Sequence, residues 1–278
     1  MNSHILSAKE LDIEQTVFSI PKINKNTKQL GAIIKNAKTN SSLLIETPYC
    51  IAPFGASAYD GGAKGLADEA KSWSITIKAH GYQQQDSENQ ELITKFFEFA
   101  KDMDEKAIDY GITNSQAIFS KKYDESQRSI VADALYTRLI KPSGTDPTTG
   151  NPWPDKITLK VMKKDQLPDV MIFKDSPEPV NLDSWETLKN TITKGSSMKA
   201  IIEFRLYFLN KKFGINIRVL QIKLMSIDRP GRPIGYAFSE TLPNIKNEEN
   251  NIVQKNNVKE DVAAIDSDEE EIECEDNN

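Results

Sequence analysis

Histidine and cysteine are nearly absent from this chain, two of each in 278 residues, and the shortage removes whole classes of chemistry. His4 and His80 have no histidine or cysteine at ligand spacing, so a zinc site or a histidine-based catalytic centre lacks its parts. Cys50 and Cys274 cannot build a disulfide framework, which suits a reducing intracellular compartment. Cys50 lies in the strand-like run Leu43 to Ile51 and reads as a buried, inert thiol. No apolar run reaches the ~18 residues of a membrane span. The first ten residues lack both a basic start and a long apolar core, so neither a membrane association nor a secretory signal is expected. The glycines between Gly55 and Gly65 are followed by no Gly-Lys-Ser/Thr. That excludes a P-loop, and the segment reads as a mobile loop. No catalytic residue, cofactor or metal is expected, and the chain is read as a non-enzyme.

What is present is charge, unevenly placed. The formal net charge is −6, but the segment Glu240 to Asn278 holds thirteen acidic and three basic residues, so the first 239 residues carry a surplus of four cations. Within residues 195–239 the cations Lys199, Arg205, Lys211, Lys212, Arg218, Lys223, Arg229 and Arg232 face only Glu203 and Asp228. A basic body beside a polyanionic tail fits a protein that binds a polyanion and carries its own competitor.

The apolar pattern along the chain alternates between strand and helix. Residues 1–15 read as a flexible leader. Thr16 to Ile20, Ser42 to Thr47 and Trp73 to Ala79 read as strands; the last sets Trp73, Ile75, Ile77 and Ala79 on one face and Ser74, Thr76 and Lys78 on the other. Ser87-Glu88-Asn89-Gln90 is a candidate capping box opening a helix. Its apolar stripe is Leu92, Ile93, Phe96, Phe97, Ala100, Met103, Ala107 and Ile108. A second helix is expected over about 126–139, with Ile130, Val131, Leu135 and Leu139 on one side. Residues 141–154 form a proline- and glycine-rich connector ending near Trp153. Strand spacing returns at Ile157, Leu159 and Val161, alternating with Lys156, Thr158, Lys160 and Met162, and again at Met171 to Phe173. From Glu240 onward no apolar periodicity remains, and disorder is expected.

The most informative ordered segment is a long hairpin, Met198 to Leu209 and Phe213 to Ile227, joined by Asn210-Lys211-Lys212. In its first strand Ala200, Ile202, Phe204, Leu206 and Phe208 share a core face. In its second, the apolar positions are odd through Val219 and even from Leu220. A one-residue slip of that kind is what a β-bulge produces, and bulges allow the strong coiling of small closed barrels. Arg205, Tyr207, Arg218 and Lys223 then decorate one curved face. Cations there neutralise phosphates, and a tyrosine ring accepts an unpaired base at ~1–3 kcal/mol per base. Arg229, Arg232 and Tyr236 form a second set of candidate contacts beyond the hairpin, Lys211 and Lys212 sit at its turn, and Trp153 is a further candidate aromatic.

Three segments taken together resemble the single-stranded DNA-binding proteins of nucleocytoplasmic large DNA viruses: Glu105 to Phe119, Trp153 to Lys160, and Lys212 to Lys223. The resemblance spans roughly residues 70–227. It implies an α+β, mainly β fold: a five-stranded OB-like barrel core with helical insertions, one domain over residues 16–239 with the insertion at about 87–140. The tail over 240–278 resembles the acidic tails of tailed-phage single-stranded DNA-binding proteins, which recruit partners. Those tails end in an aromatic residue, whereas this one ends Asn277-Asn278. The resemblance implies sequence-nonspecific coating of single-stranded DNA in viral replication, recombination or repair, inside the host cytoplasm, its viral factory or the nucleus, or packaged in the virion. Viral replication proteins are the partners expected at the tail. The alternatives are a virion scaffold protein that binds other proteins through its hairpin and tail, and an RNA-binding chaperone. Oligomeric state is open.

Overall fold

The computed structural model of the chain describes residues 4–23, 30–59, 72–79, 87–141 and 144–225. The strands, in chain order, are β1 (Ile5–Ser7), β2 (Thr16–Phe18), β3 (Lys22–Ile23), β4 (Leu30–Asn36), β5 (Leu44–Glu46), β6 (Cys50–Ala52), β7 (Ala56–Tyr59) and β8 (Ser72–Lys78). After helices α1 (Ser87–Thr113) and α2 (Ser115–Phe119) come β9 (Tyr136–Thr137), β10 (Lys156–Lys164), β11 (Leu167–Asp169) and β12 (Met171–Phe173). Helix α3 (Trp185–Thr191) then leads into β13 (Ser196–Leu209) and β14 (Lys212–Leu224).

Five of these strands close into a ring. β6 pairs with β8, β8 with β10, β10 with β14, β14 with β13, and β13 returns to β6. Numbered along the chain the ring runs first, second, third, fifth, fourth, and only the third–fifth pairing, β10 with β14, is parallel. The fold is thus α+β and mainly β, with the five-stranded OB-type ring that the resemblance implied.

The ring is filled by the alternation already visible in the residues. Ile157, Leu159 and Val161 of β10 stand opposite Ile77, Ile75 and Trp73 of β8, and all six are buried. Ile202, Phe204 and Leu206 of β13 meet Val219, Ile217 and Ile215 of β14 in the same way. Each such side chain contributes ~1.5–3 kcal/mol of burial. Ile201 faces Gln221 while Ile202 faces Val219, so Leu220 has no opposite residue. This is the bulge that the slip of apolar phase required. The hairpin turns on Asn210 and Lys211, both with positive φ (51° and 61°), as a two-residue turn of the primed type demands.

The insertion lies between the second and third ring strands. Helix α1 buries Ile93, Phe96, Phe97, Ala100, Met103, Ala107 and Ile108, the stripe expected from its spacing. At Gly111 an added Cβ would stand 2.4 Å from the Phe213 ring, so the helix approaches β14 closer than any side chain permits. Asp104 is buried on the same face. It accepts hydrogen bonds from the Tyr136 hydroxyl (2.6 Å) and the backbone N–H groups of Leu139 (2.8 Å) and Ile140 (3.3 Å). Burial raises its pKa above the ordinary carboxylate value, and the three donors oppose that rise.

Three expectations need correction, and two elements were not foreseen. The leader is not loose from Ile5 onward: β1 pairs with β5, and Leu6, Ala8 and Leu11 are buried. A few apolar side chains with a parallel partner suffice to anchor it, and their spacing shows neither helical nor strand period. The helix expected over about 126–139 is a 3-10 turn (Glu125–Gln127) followed by a π-helix (Ile130–Leu135). It ends at Leu135, where the chain extends into β9 beside β14, and Ile130 is exposed; beyond that end Asp104 binds the Tyr136 hydroxyl and the Leu139 and Ile140 N–H groups. The glycine-rich segment begins as a strand, Ala56–Tyr59, paired with β8. Lastly, β4 and α3 carried no expectation. Helix α3 is set by the Ser184 hydroxyl, which accepts from the Thr187 N–H (3.1 Å), and by Trp185, which stacks on Trp73 at 4.6 Å between ring centroids.

Candidate nucleic-acid interface

The outer face of the hairpin holds the side chains that the strand alternation placed there, but two of its three expected phosphate ligands are already occupied. Arg205 makes a two-pronged contact with Glu203, at 2.9 and 3.2 Å. Arg218 is half-buried and bonded to Asp169 at 2.5 Å, with its Nε buried and unpartnered among the described residues. Lys211 and Lys212 are exposed at the turn, and Lys223 is exposed near the other end of the hairpin. None of these three lysines has a carboxylate partner among the described residues. Arg229, Arg232 and Tyr236 lie outside the described residues.

Tyr207 is placed as a platform. Its register partners on both sides are glycines, Gly31 of β4 and Gly214 of β14. An added Cβ at Gly214 would stand 2.9 Å from the Tyr207 Oη and 2.8 Å from the Thr137 carbonyl oxygen, so the ring lies across bare backbone. Any side chain at position 214 would lift it. The Lys160 ammonium of β10 sits 5.8 Å from the ring centroid, within cation–π range.

Lys160 leads to a surface beyond the hairpin. On β10 and β8 the outward residues pair across the strands as Lys156 with Lys78, Thr158 with Thr76, and Lys160 with Ser74. Lys160 in turn neighbours Arg218 on β14. This face is lysine and hydroxyl only, and none of its three lysines has an ion pair among the described residues. Crowding by the strands, with Lys141 adding like charge, lowers the Lys160 pKa from the usual lysine value. Two aromatics border the face. Phe54, in the turn after β6, is 60% exposed and lies 5.7 Å from the Lys156 ammonium. Trp153 is 49% exposed, held at the entry to β10 by a small hairpin in which its N–H bonds the Gly144 carbonyl (3.0 Å). The side chain of Asp146 fixes that hairpin's turn through the Thr148 N–H (2.8 Å).

The structure therefore brings together Tyr207, Lys160 and Arg218 on adjoining strands, with Lys156 and Lys78 beyond them and Trp153 ahead of Lys156. It leaves Lys223 at the far end of the hairpin. Lys78, Lys156, Lys160 and Phe54 were missed as site residues. The alternation Lys156, Thr158, Lys160 was legible, but only the β8–β10 register reveals that two such rows adjoin. A surface of this kind can neutralise phosphates and accept bases on ring faces, while offering few fixed donors to read a base edge. Cys50 is fully buried, and burial pushes its thiol pKa up to about 12, so it is no nucleophile. Among the described residues no group of three or more His, Cys, Asp or Glu is placed to hold a metal, and no helix is long and apolar enough to cross a membrane.

Neither a family model nor a curated protein sequence matches the chain. Among solved structures it is similar to the single-stranded DNA-binding protein of bacteriophage Enc34 in complex with single-stranded DNA, at 14% identity. That alignment covers 79% of this chain and 99% of that one with a TM-score of 0.38. It is also similar to gp2.5, a single-stranded DNA-binding protein encoded by bacteriophage T7, at 9% identity over 66% of this chain and 87% of that one, with a TM-score of 0.32. The fold assignment rests on the strand order of the ring, not on these scores.

Proposed function

We propose that this chain is a sequence-nonspecific single-stranded DNA-binding protein that coats unwound DNA in viral replication, recombination or repair within the infected cell. One observation carries the reading. Uncompensated lysines line the outer face of the second and third ring strands, the face by which OB-type barrels take oligonucleotides, and aromatics border it. Phosphates would run along Lys78, Lys156 and Lys160, and bases would stack on Tyr207, Phe54 and Trp153 without being read. The acidic segment from Glu240 would act as a competing polyanion or a docking element for replication proteins.

The test is a fluorescence-anisotropy titration of the full chain with labelled oligo-dT at two salt concentrations, competed by duplex DNA and by oligo-U. Salt-sensitive binding that single-stranded DNA alone competes well is the expected result. No binding at low salt, repeated with the chain cut at Glu260, would overturn the reading, and equal competition by oligo-U would widen it to RNA. Cutting at Glu260 is expected to tighten binding at low salt; unchanged affinity would leave the tail as a docking or solubility element.

A further inference from the structure

The far end of the hairpin carries a second basic patch that the face described above does not use. Lys199 and Lys223 stand directly opposite each other across β13 and β14, an arrangement of like charges that destabilises a sheet unless something neutralises it. One carboxylate is available: Glu46 of β5 pairs with Lys199. Lys223 has no carboxylate among the described residues, so the patch keeps one cation in excess. Aromatic rings flank it on both sides. The Tyr49 ring centroid lies 5.6 Å from the Lys199 ammonium, and Phe173 of β12 is the register partner of Lys223. The bulge at Leu220 turns Gln221 onto this same face, and Glu46, Phe173, Lys199, Gln221 and Lys223 line a depression of about 230 Å³.

The patch is separated from the Lys160–Tyr207 face by a neutral strip. Glu203, itself buried, and Asp169 stand there, each bound to an arginine, so a strand crossing the strip meets no uncompensated cation.

We propose that the Lys199–Lys223 depression is a distinct phosphate-binding subsite. Its ligand is a single phosphate group, which supplies the missing countercharge while the Gln221 amide offers a neutral donor. The site itself stands on this geometry; only the source of the phosphate rests on the DNA-binding reading. A long single strand can deliver an internucleotide phosphate from beyond the neutral strip, or a free nucleotide can deliver a terminal one.

The experiment observes lysine side-chain ammonium resonances of the full chain by NMR during titration with inorganic phosphate and then dTMP. Salt-dependent affinity for oligo-dT of about 5 and about 20 nucleotides, near the lower end of and beyond the ~4–16 nucleotides taken by one OB-type ring, is measured in parallel. Phosphate is expected to shift Lys199 and Lys223 selectively, and Lys223→Gln to abolish the response. An absent shift, or an equal shift at Lys78 and Lys156, overturns the subsite. If a strand is the source, Lys223→Gln lowers the salt slope of the long oligomer by about 0.7 and leaves the short one unchanged. An unchanged long-oligomer slope with a dTMP shift intact assigns the site to free nucleotides. Loss of all oligo-dT binding with the phosphate shift retained would sink the DNA-binding reading and leave the subsite standing.

Discussion

Two adjoining faces of the ring carry similar numbers of cations and differ in whether carboxylates neutralise them. On the hairpin, Arg205 and Arg218 are bound to Glu203 and Asp169; on β8 and β10, Lys78, Lys156 and Lys160 have hydroxyls and one another as neighbours. Charge along a strand is therefore a poor measure of charge available to a ligand. The carboxylate that neutralises Arg218 comes from another hairpin, 49 residues away in the chain. An arginine held by a carboxylate must exchange that partner for a phosphate, whereas a lysine among hydroxyls exchanges only water.

The comparison can be broken most severely at Asp104, which binds Tyr136 of β9 and so holds β9 beside β14 on the hairpin side. Asp104→Ala strands three buried donors, each at about 1–3 kcal/mol, and is expected to lower stability by about 3 kcal/mol or more in urea unfolding. It would also loosen Thr137, whose carbonyl backs Gly214 beneath the Tyr207 ring. The wild type should gain stability relative to Asp104→Asn as pH falls toward the acid range, because the folded carboxyl binds its proton at a higher pH than the unfolded one. An unchanged difference across that range would show that Asp104 is not proton-coupled to folding.

The next largest effect is on binding. Changing Lys78, Lys156 and Lys160 together to Gln should reduce the salt slope for oligo-dT by about 2, at ~0.7 per phosphate, whereas Arg205→Gln with Arg218→Gln should leave it nearly unaltered. The reverse outcome would return the site to the hairpin. Tyr207→Ala should weaken oligo-dT binding by about 1–3 kcal/mol per stacked base, with Tyr207→Phe retaining most of the affinity. The smallest effect concerns pH. The depressed Lys160 pKa means its charge is lost at lower pH than that of an ordinary lysine, so binding should weaken on the alkaline side. Lys160→Arg should delay that loss, since a guanidinium keeps its proton.

Much of the fold was legible in the residues. The α1 stripe, the β8 and β10 alternation and the hairpin with its bulge follow from period and phase, because one-sided burial imposes them locally. Helix α3, with Trp185 and Leu188 as its buried residues, shows too short a period to detect, and β1 is anchored by contacts no local pattern records. The helix expected after Ser126 is present but ends at Leu135, where β9 pairs with β14, a long-range contact that periodicity cannot weigh.

The candidate site divides along the same line. The residues alone established that histidine and cysteine are scarce, that cations gather in the body, and that Tyr207 and Trp153 were candidate aromatics. Only the tertiary structure decided which cations are free, that two glycines flank Tyr207, and that Phe54 meets Lys156. Alternation assigns a side chain to a face through the local geometry of one strand. Whether that side chain is neutralised, floored or stacked depends on which strands the closed ring brings alongside it.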